Sequence, residues 1–166
     1  GTDAVMLSGE SAKGKYVVEA VQTMATIAKR TDSFKKHKPL KGLIGDITVT
    51  EAVSKGAVEA AQLLEAKLII SWTKSGRAPR MIRKYNPDAS ILALTDNEQT
   101  ARQLLMTRGV FSYVAKGLDK TDEFFSKAME IAATQPGIKK GDLVVLVTGI
   151  SETGTTNTFK VARVGE

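Results

Sequence analysis

The chain has 166 residues, of which 25% are charged and 42% hydrophobic, as is ordinary for a globular protein with an apolar core. It has no cysteine, which excludes disulfide frameworks and thiolate chemistry and suits a cytoplasmic location, and no apolar run approaches the roughly 20 residues of a membrane span. The 24 Lys and Arg residues outnumber the 18 Asp and Glu residues, and the resulting net charge of +6 favours anionic partners such as metabolites and nucleotides. The single histidine, His37, lies among lysines, which argues against a His-dependent triad or zinc site.

The first 34 residues predict a strand, a glycine-containing loop and a helix. Residues 3–7 are largely apolar and are predicted as the strand, residues 8–15 as the loop, and residues 16–29 as a helix with apolar side chains at the helical period. Because the chain opens inside this strand and without an initiator methionine, we expect a piece cut from a longer protein. Polar residues with Gly and Pro at 35–46 predict a linker.

From residue 47 onward, helices and strands are predicted to alternate. Thr48 and Glu51 fit a capping box at the start of a helix that runs to about residue 65. Strands are predicted at residues 68–72, 90–94, 110–114, 143–148 and 158–164, and further helices at 76–85, from 95 to about 108, and at 121–134, the last burying Phe125, Ala128, Met129 and Ala132. This succession predicts an α/β fold with a mostly parallel five-stranded sheet, helices on both faces and an antiparallel edge strand.

Two hydroxyl-rich loops follow strands of this predicted sheet, at the edge where such sheets bind ligands. The first is Thr73-Lys74-Ser75-Gly76-Arg77 at a helix start, where free N–H groups, a partial positive charge, two cations and a glycine suit a phosphate. The second, residues 151–158, has four threonines, a serine and an asparagine that suit a sugar or a phosphate. Each loop alone also fits a solvated turn, so the pair together carries the prediction of a phosphosugar pocket.

Residues 9–16 nearly match the phosphate-binding P-loop pattern Gly-x4-Gly-Lys-Ser/Thr. Tyr16, however, stands where that motif needs a small hydroxyl to bind magnesium, and its phenol lies too far from the backbone to replace one. We therefore predict a strand-to-helix turn that serves another site.

Other charged clusters have plainer interpretations. Arg77, Arg80 and Lys84 share a predicted helical face with Arg83 beside them, but no aromatic side chains alternate with them to stack on bases. A solvated face is the better prediction, and no nucleic-acid partner is expected. The acidic residues at the start of the 121–134 helix are predicted to be helix caps and not metal ligands, namely Asp119, Asp122 and Glu123.

Taken together, these motifs resemble pyruvate kinase of the bacterial type over essentially the whole chain. Residues 1–16 resemble that family's last barrel strand and the loop after it, residues 73–77 its effector phosphate loop, residues 97–103 a helix of its C-terminal domain, and residues 140–142 and 154–158 its last strands. The resemblance implies that residues 1–34 are the end of a catalytic TIM barrel, residues 35–46 a linker and residues 47–166 a C-terminal regulatory domain.

The resemblance implies a parent enzyme that transfers a phosphoryl group from phosphoenolpyruvate to ADP, giving pyruvate and ATP in glycolysis. Such enzymes use Mg2+ and K+, are cytoplasmic homotetramers, and need neither nucleic acid nor a membrane. Of the family's catalytic site this chain carries only Ser8, Glu10 and Lys13, with Lys13 near the nucleotide phosphate, while the metal ligands lie outside it. Because phosphoryl transfer depends on those ions and on positioning, the chain alone is expected to be inactive.

The resemblance also implies an allosteric effector site in the C-terminal domain. One phosphate of fructose 1,6-bisphosphate would be held by residues 73–77, and a second loop would close over it, formed by Gly154, Thr155, Thr156, Asn157 and Thr158. Ala78 stands where the family often has a Ser or Thr, and residues 121–125 lack the Arg that holds the second phosphate in some relatives. A sugar monophosphate or AMP therefore stays open as the effector. The alternative function is a stand-alone sugar-phosphate or nucleotide-binding module with no kinase role.

Overall fold

The computed structural model describes residues 2–33, 46–118, 120–149 and 155–166. Residues 35–45 of the predicted linker lie outside this part of the chain, as does the predicted cap Asp119. The chain divides into two compact units, Thr2–Lys41 and Gly42–Glu166.

In the first unit, α1 spans Gly9–Ala12 and α2 spans Val17–Ser33. The strand predicted at residues 3–7 is wrong, because these residues are irregular. An extended segment forms a strand only when a neighbour pairs with its backbone, and no strand among the described residues pairs with this one.

The second unit is a mixed five-stranded sheet with helices packed around it. Its strand order is β3-β2-β1-β4-β5, in which the first four strands are parallel and β5 runs antiparallel to β4. The predicted fold class is confirmed. In chain order the elements are α3 Val49–Leu63, β1 Leu68–Trp72, α4 Arg77–Lys84, β2 Ser90–Thr95, α5 Glu98–Leu104, β3 Val110–Val114, α6 Thr121–Ala133, β4 Leu143–Thr148 and β5 Thr158–Arg163.

The core is divided by the sheet, because successive side chains of a strand point to opposite faces. On β1, Leu68 and Ile70 belong to the cluster that packs against α6, whereas the intervening Ile69 is equally buried but lies outside that cluster. Helix α3 packs on β1, β4 and α4, with its buried Ala57, Val58 and Ala61. Strands β1 and β4 are therefore covered on both faces, which explains why β4 is wholly apolar apart from its last residue.

Two helices differ in detail from the prediction. Helix α5 ends at Leu104 and not near residue 108, because the following N–H groups bond three residues back and Gly109 then takes a left-handed conformation with φ +72°. In α6 the prediction of a buried Phe125 is wrong, because Phe125 is only partly buried and the neighbouring Phe124 is the fully buried ring. Ile131 joins the buried face, and Met129 packs at its margin, so that face is turned about one position from the predicted one.

Glu51 joins two helices. Thr48 and Glu51 form the predicted capping box, and the Glu51 carboxylate also pairs with Lys84 Nζ of α4 at 2.8 Å. The hydrogen bond from Lys84 lowers the pKa of Glu51, the Thr48 backbone and hydroxyl add to the effect, and the same pair raises the pKa of Lys84. The carboxylate therefore stabilises the fold above its ordinary pKa of 4.5, and this stabilisation is lost as the pH falls through the lowered folded pKa.

We expect Glu51→Gln to flatten the acid limb of the stability profile, because the neutral amide has no proton to take up as the pH falls. The free energy of unfolding, measured by urea denaturation between about pH 6 and pH 3, checks this. The wild-type stability should decline more steeply than that of the variant below the ordinary pKa of 4.5. Identical slopes for the two proteins would contradict the assigned role.

Candidate functional site

The carboxyl ends of β1, β2 and β4 lie side by side at one edge of the sheet. Ser71 is in register with Ala93 of β2 and with Val147 of β4, so the chain leaves these strands at the same level. The loops after Trp72 and after Thr148 therefore begin about 5 Å apart, which is the spacing of neighbouring strands. The prediction that the two hydroxyl-rich loops leave the same edge is confirmed.

Hydrogen bonds hold the backbone of the first loop at three points. The Thr73 N–H donates to the Leu94 carbonyl of β2 at 2.9 Å, and the Gly76 N–H donates to the Thr73 hydroxyl at 2.9 Å. The Thr100 hydroxyl of α5 donates to the Lys74 carbonyl at 2.8 Å. Residues 73–77, called the anion loop below, are therefore fixed to β2 and to α5 before any ligand arrives.

Helix α4 starts from this loop without a side-chain cap. Its N-cap is Gly76 in the left-handed conformation with φ +77°, whereas α3 and α5 are capped by the side chains of Thr48 and Asn97. A Cβ on Gly76 would lie 3.2 Å from Leu104 Cδ2, so glycine is favoured here by both conformation and space. No acidic residue lies in the first turn of α4, so the positive end of the helix is not offset locally.

The cations around the anion loop divide into two groups. Lys74, Arg77 and Arg80 are exposed, and Arg80 Nη1 donates to the Ser75 carbonyl at 3.4 Å. The predicted solvated face of Arg77, Arg80 and Lys84 is exposed, as expected, and on it Lys84 is paired with Glu51. Arg83 is buried and donates from Nη1 to Asn86 Oδ1 at 2.6 Å. The exposed cations Lys74, Arg77 and Arg80 therefore lie at the start of α4, whereas Glu51 offsets the charge of Lys84 at its end.

The second loop is described only in part. Gly154 lies outside the described residues, as do the three residues before it, and Thr155 and Asn157 are exposed while Thr156 is buried. The Asn157 N–H donates to the Thr148 carbonyl at 3.2 Å, and the Thr158 hydroxyl donates to Asn157 Oδ1 at 3.2 Å. Residues 155–158 thus return to the end of β4 and lead into β5. Because β5 is two strands away from β1, this part of the loop lies about 10 Å from the chain that leaves β1.

Ser8, Glu10 and Lys13 lie together around the short helix α1 of the first unit. The Ser8 backbone N–H donates to Glu10 Oε2 at 3.0 Å, and Lys13 is the C-cap of the helix. The Glu10 pKa is lowered by its own backbone N–H first and by that of Ser8 second. Because the segment forms a helix where a P-loop would be an open cradle, the near match to that motif does not correspond to its geometry.

Three threonines at the carboxyl edge were missed by reasoning from the sequence: Thr95, Thr100 and Thr148. Thr95 ends β2, is fully buried, and accepts the Asn97 N–H at 3.2 Å, while Thr148 ends β4 and is 2% exposed. Thr95 and Thr148 each end a strand whose other buried residues are apolar, and that position was the available signal. Thr100 carries no comparable signal, because its contact with Lys74 joins residues 26 positions apart.

Within the part of the chain that the structure describes, no group of three or more His, Cys, Asp or Glu residues is arranged to hold a metal ion. Nor, among those same residues, does any helix have the length and apolar character of a membrane span.

Comparisons with known proteins agree with this architecture. Residues 51–162 match the family described as "Pyruvate kinase, alpha/beta domain". The chain is 41% identical to the pyruvate kinase of Geobacillus stearothermophilus over 97% of its own length and 28% of that protein, and 39% identical to that of Bacillus licheniformis over 100% and 29%. A crystal structure of a pyruvate kinase from Cryptosporidium parvum matches with a TM-score of 0.84 at 32% identity, covering 96% of this chain and 33% of that one.

The chain therefore spans less than a third of the length of these curated relatives. The family match covers every strand of the sheet nearly in full, and the fold is shared with a solved relative at 32% identity. The resemblance inferred from the sequence motifs is confirmed: this chain belongs to the pyruvate kinase family and carries its C-terminal α/β domain.

Proposed function

We propose that this chain is the regulatory region of a pyruvate kinase and that the anion loop binds a phosphate of a sugar-phosphate effector. The observation that carries the proposal is the start of α4, a helix end with a left-handed glycine as its N-cap and no side-chain cap, on a loop already fixed to β2 and α5. An anion there would meet backbone N–H groups and the positive end of the helix.

The exposed cations supply the remaining charge. Lys74 and Arg77 belong to the anion loop, and its Thr73 and Ser75 add hydroxyl groups. The Thr73 hydroxyl accepts from Gly76, which leaves its own proton to donate to a phosphate oxygen. Hydrogen bonds between charged groups are the strong class of such contacts, so Lys74 and Arg77 are expected to contribute most of the affinity.

The rest of the effector would lie towards β4 and β5. Residues 154–158 would close over its sugar, with Thr155 and Asn157 exposed at the same edge. Ala78 is buried and offers no hydroxyl, and the first turn of α6 carries Asp122 and Glu123, whose charges disfavour a second phosphate. The candidate effectors are therefore fructose 1,6-bisphosphate and ligands with a single phosphate, namely a sugar monophosphate or AMP.

Phosphoryl transfer itself would be an activity of the longer protein, of which this chain is a part. In that protein, residues 1–34 would complete a catalytic barrel, residues 35–46 would link it to the regulatory domain of residues 47–166, and the assembly would be a cytoplasmic homotetramer. Ser8, Glu10 and Lys13 would lie near ADP and phosphoenolpyruvate, with Mg2+ and K+ held by residues outside this chain. Lys13 would neutralise phosphate charge, which is the main task of a protein in phosphoryl transfer.

A ligand panel tests the effector proposal. We expect fructose 1,6-bisphosphate, a hexose monophosphate or AMP to stabilise the chain by about 2.7 kcal/mol at 100 times its dissociation constant, because only the folded state has the site. Melting temperatures measured at rising ligand concentration check this. A folded sample that no member of the panel stabilises would contradict a formed site.

The panel and a turnover assay of the longer protein together separate the alternative functions. A stand-alone sugar-phosphate or nucleotide module would bind a ligand but would leave turnover of the longer protein unaffected by it. An oligonucleotide in the panel covers the nucleic-acid hypothesis, for which binding must weaken steeply with salt.

A further inference from the structure

Thr100 lies outside the anion loop, yet it fixes the loop's backbone. It belongs to the first turn of α5 and is 6% exposed, and its hydroxyl donates to the Lys74 carbonyl at 2.8 Å. The two residues are 26 positions apart, so the contact depends on how α5 packs beside the loop.

A short series of hydrogen bonds fixes Thr100 in its turn. Its N–H donates to Asn97 Oδ1 at 3.1 Å, and the Asn97 N–H donates to the Thr95 hydroxyl at 3.2 Å. Thr95 is fully buried at the end of β2. The Lys74 carbonyl is thereby tied to the sheet through three side chains, and not only to a surface helix.

This contact decides which way the next N–H of the loop points. In a trans peptide the N–H lies opposite to the preceding carbonyl, and the chain has no cis bond among its described residues. Because the Lys74 carbonyl points at the buried Thr100 hydroxyl, the Ser75 N–H points away from α5, on the exposed side of the loop. An anion that approached the start of α4 from this side would meet the Ser75 N–H.

We infer that Thr100 is a positioning residue of the effector site, which holds the peptide between Lys74 and Ser75 in the orientation that binds phosphate. The inference rests on the proposed function. Thr100 does not touch the phosphate: it lowers the cost of ordering the loop, which otherwise reduces affinity.

The test compares variants of the full-length protein that carries this chain. Thr100→Val removes the hydroxyl at nearly constant volume and should weaken binding of fructose 1,6-bisphosphate and AMP about five- to tenfold, the loss expected for one hydrogen bond. Thr100→Ser keeps the hydroxyl and should keep the affinity within about twofold of that of the wild type, which is less than half of that energy. Dissociation constants are measured by titration calorimetry, and Thr100→Ala replaces the valine variant if that protein does not fold.

Ser112→Ala is the matched control. The Ser112 hydroxyl of β3 also donates to a carbonyl of α5, that of Ala101 at 2.9 Å, and not to a carbonyl of the anion loop. Ser112→Ala should lower the free energy of unfolding by an amount comparable to the effect of Thr100→Val, and it should leave the affinity for the effector unchanged. Equal weakening by Ser112→Ala and Thr100→Val, unchanged binding in Thr100→Val, or failure of Thr100→Ser to restore it would each overturn the inference.

The experiment distinguishes a failure of the proposed function from a failure of the role of Thr100. If wild-type protein binds none of the probes, the effector site is wrong and the role of Thr100 falls with it. If wild type binds and Lys74→Ala weakens binding while Thr100→Val does not, the site stands and only the positioning role is wrong.

Discussion

Activation by the effector is expected to be abolished when Lys74 and Arg77 are both replaced by alanine in the full-length protein. Each cation is exposed beside the uncapped start of α4, and charge-assisted hydrogen bonds are worth about 1.5–3 kcal/mol each. Loss of both is expected to weaken the effector by about 100-fold or more. The measurement is turnover at rising concentrations of fructose 1,6-bisphosphate, with turnover in its absence as the reference.

A second double variant controls for the loss of charge. Lys127→Ala with Lys139→Ala also removes two exposed cations, one from α6 and one from the opposite edge of the sheet before β4. Long-range attraction of an anion falls by a similar amount in both variants, and screening by salt limits it in both. Activation should survive in the control. Full activation of the Lys74 and Arg77 variant, or equal loss in the two, would refute the assignment of the anion loop.

Phe124→Ala is expected to destabilise the chain by about 3–5 kcal/mol, which is a large share of the stability of an ordinary domain. Phe124 is fully buried between α6 and the sheet, in the cluster that contains Ile70, Leu92 and Leu146. Truncation removes its transfer free energy and leaves a cavity that close-packed neighbours fill only in part. Urea denaturation of the 166-residue chain measures the loss.

Phe125→Ala is the natural comparison, because the two rings are neighbours with centroids 5.4 Å apart. Phe125 is only partly buried, with Lys160 Nζ 5.2 Å from the centre of its ring. Its truncation should cost about 1–2 kcal/mol, most of it lost apolar contact. A larger loss for Phe125→Ala than for Phe124→Ala would show that α6 presents the face predicted from the sequence and not the one in the structure.

The rotation of α6 about its axis could not be predicted from the helical period of its apolar residues. Phe124 and Phe125 both fit an apolar stripe at the helical period, and a shift of one position leaves the pattern almost as good. Only the surface of the sheet selects between them, because the space that a ring can fill is set by residues of other strands, such as Ile70, Leu92 and Leu146. The buried face of α6 therefore depends on packing and not on the pattern of the helix alone.

Local patterns were sufficient for most of the regular structure. The alternation of apolar runs with helical periods predicted all five strands of the sheet, and the Thr48 and Glu51 pair predicted the start of α3, because capping depends on residues three positions apart. Residues 3–7 show the opposite case. Their composition suits a strand, but strand formation needs a partner, and none of the described strands supplies one.

The sequence by itself determined the order and type of the elements from residue 47 onward and the composition of the anion loop, since both follow from spacings within a few residues of each other. Only the tertiary structure decided how that loop is held. The hydroxyl of Thr100 reaches the Lys74 carbonyl across 26 positions, and the carboxylate of Glu51 offsets the charge of Lys84, which stays exposed. Contacts between residues so distant in the chain depend on packing of whole helices against the sheet, which no short spacing encodes.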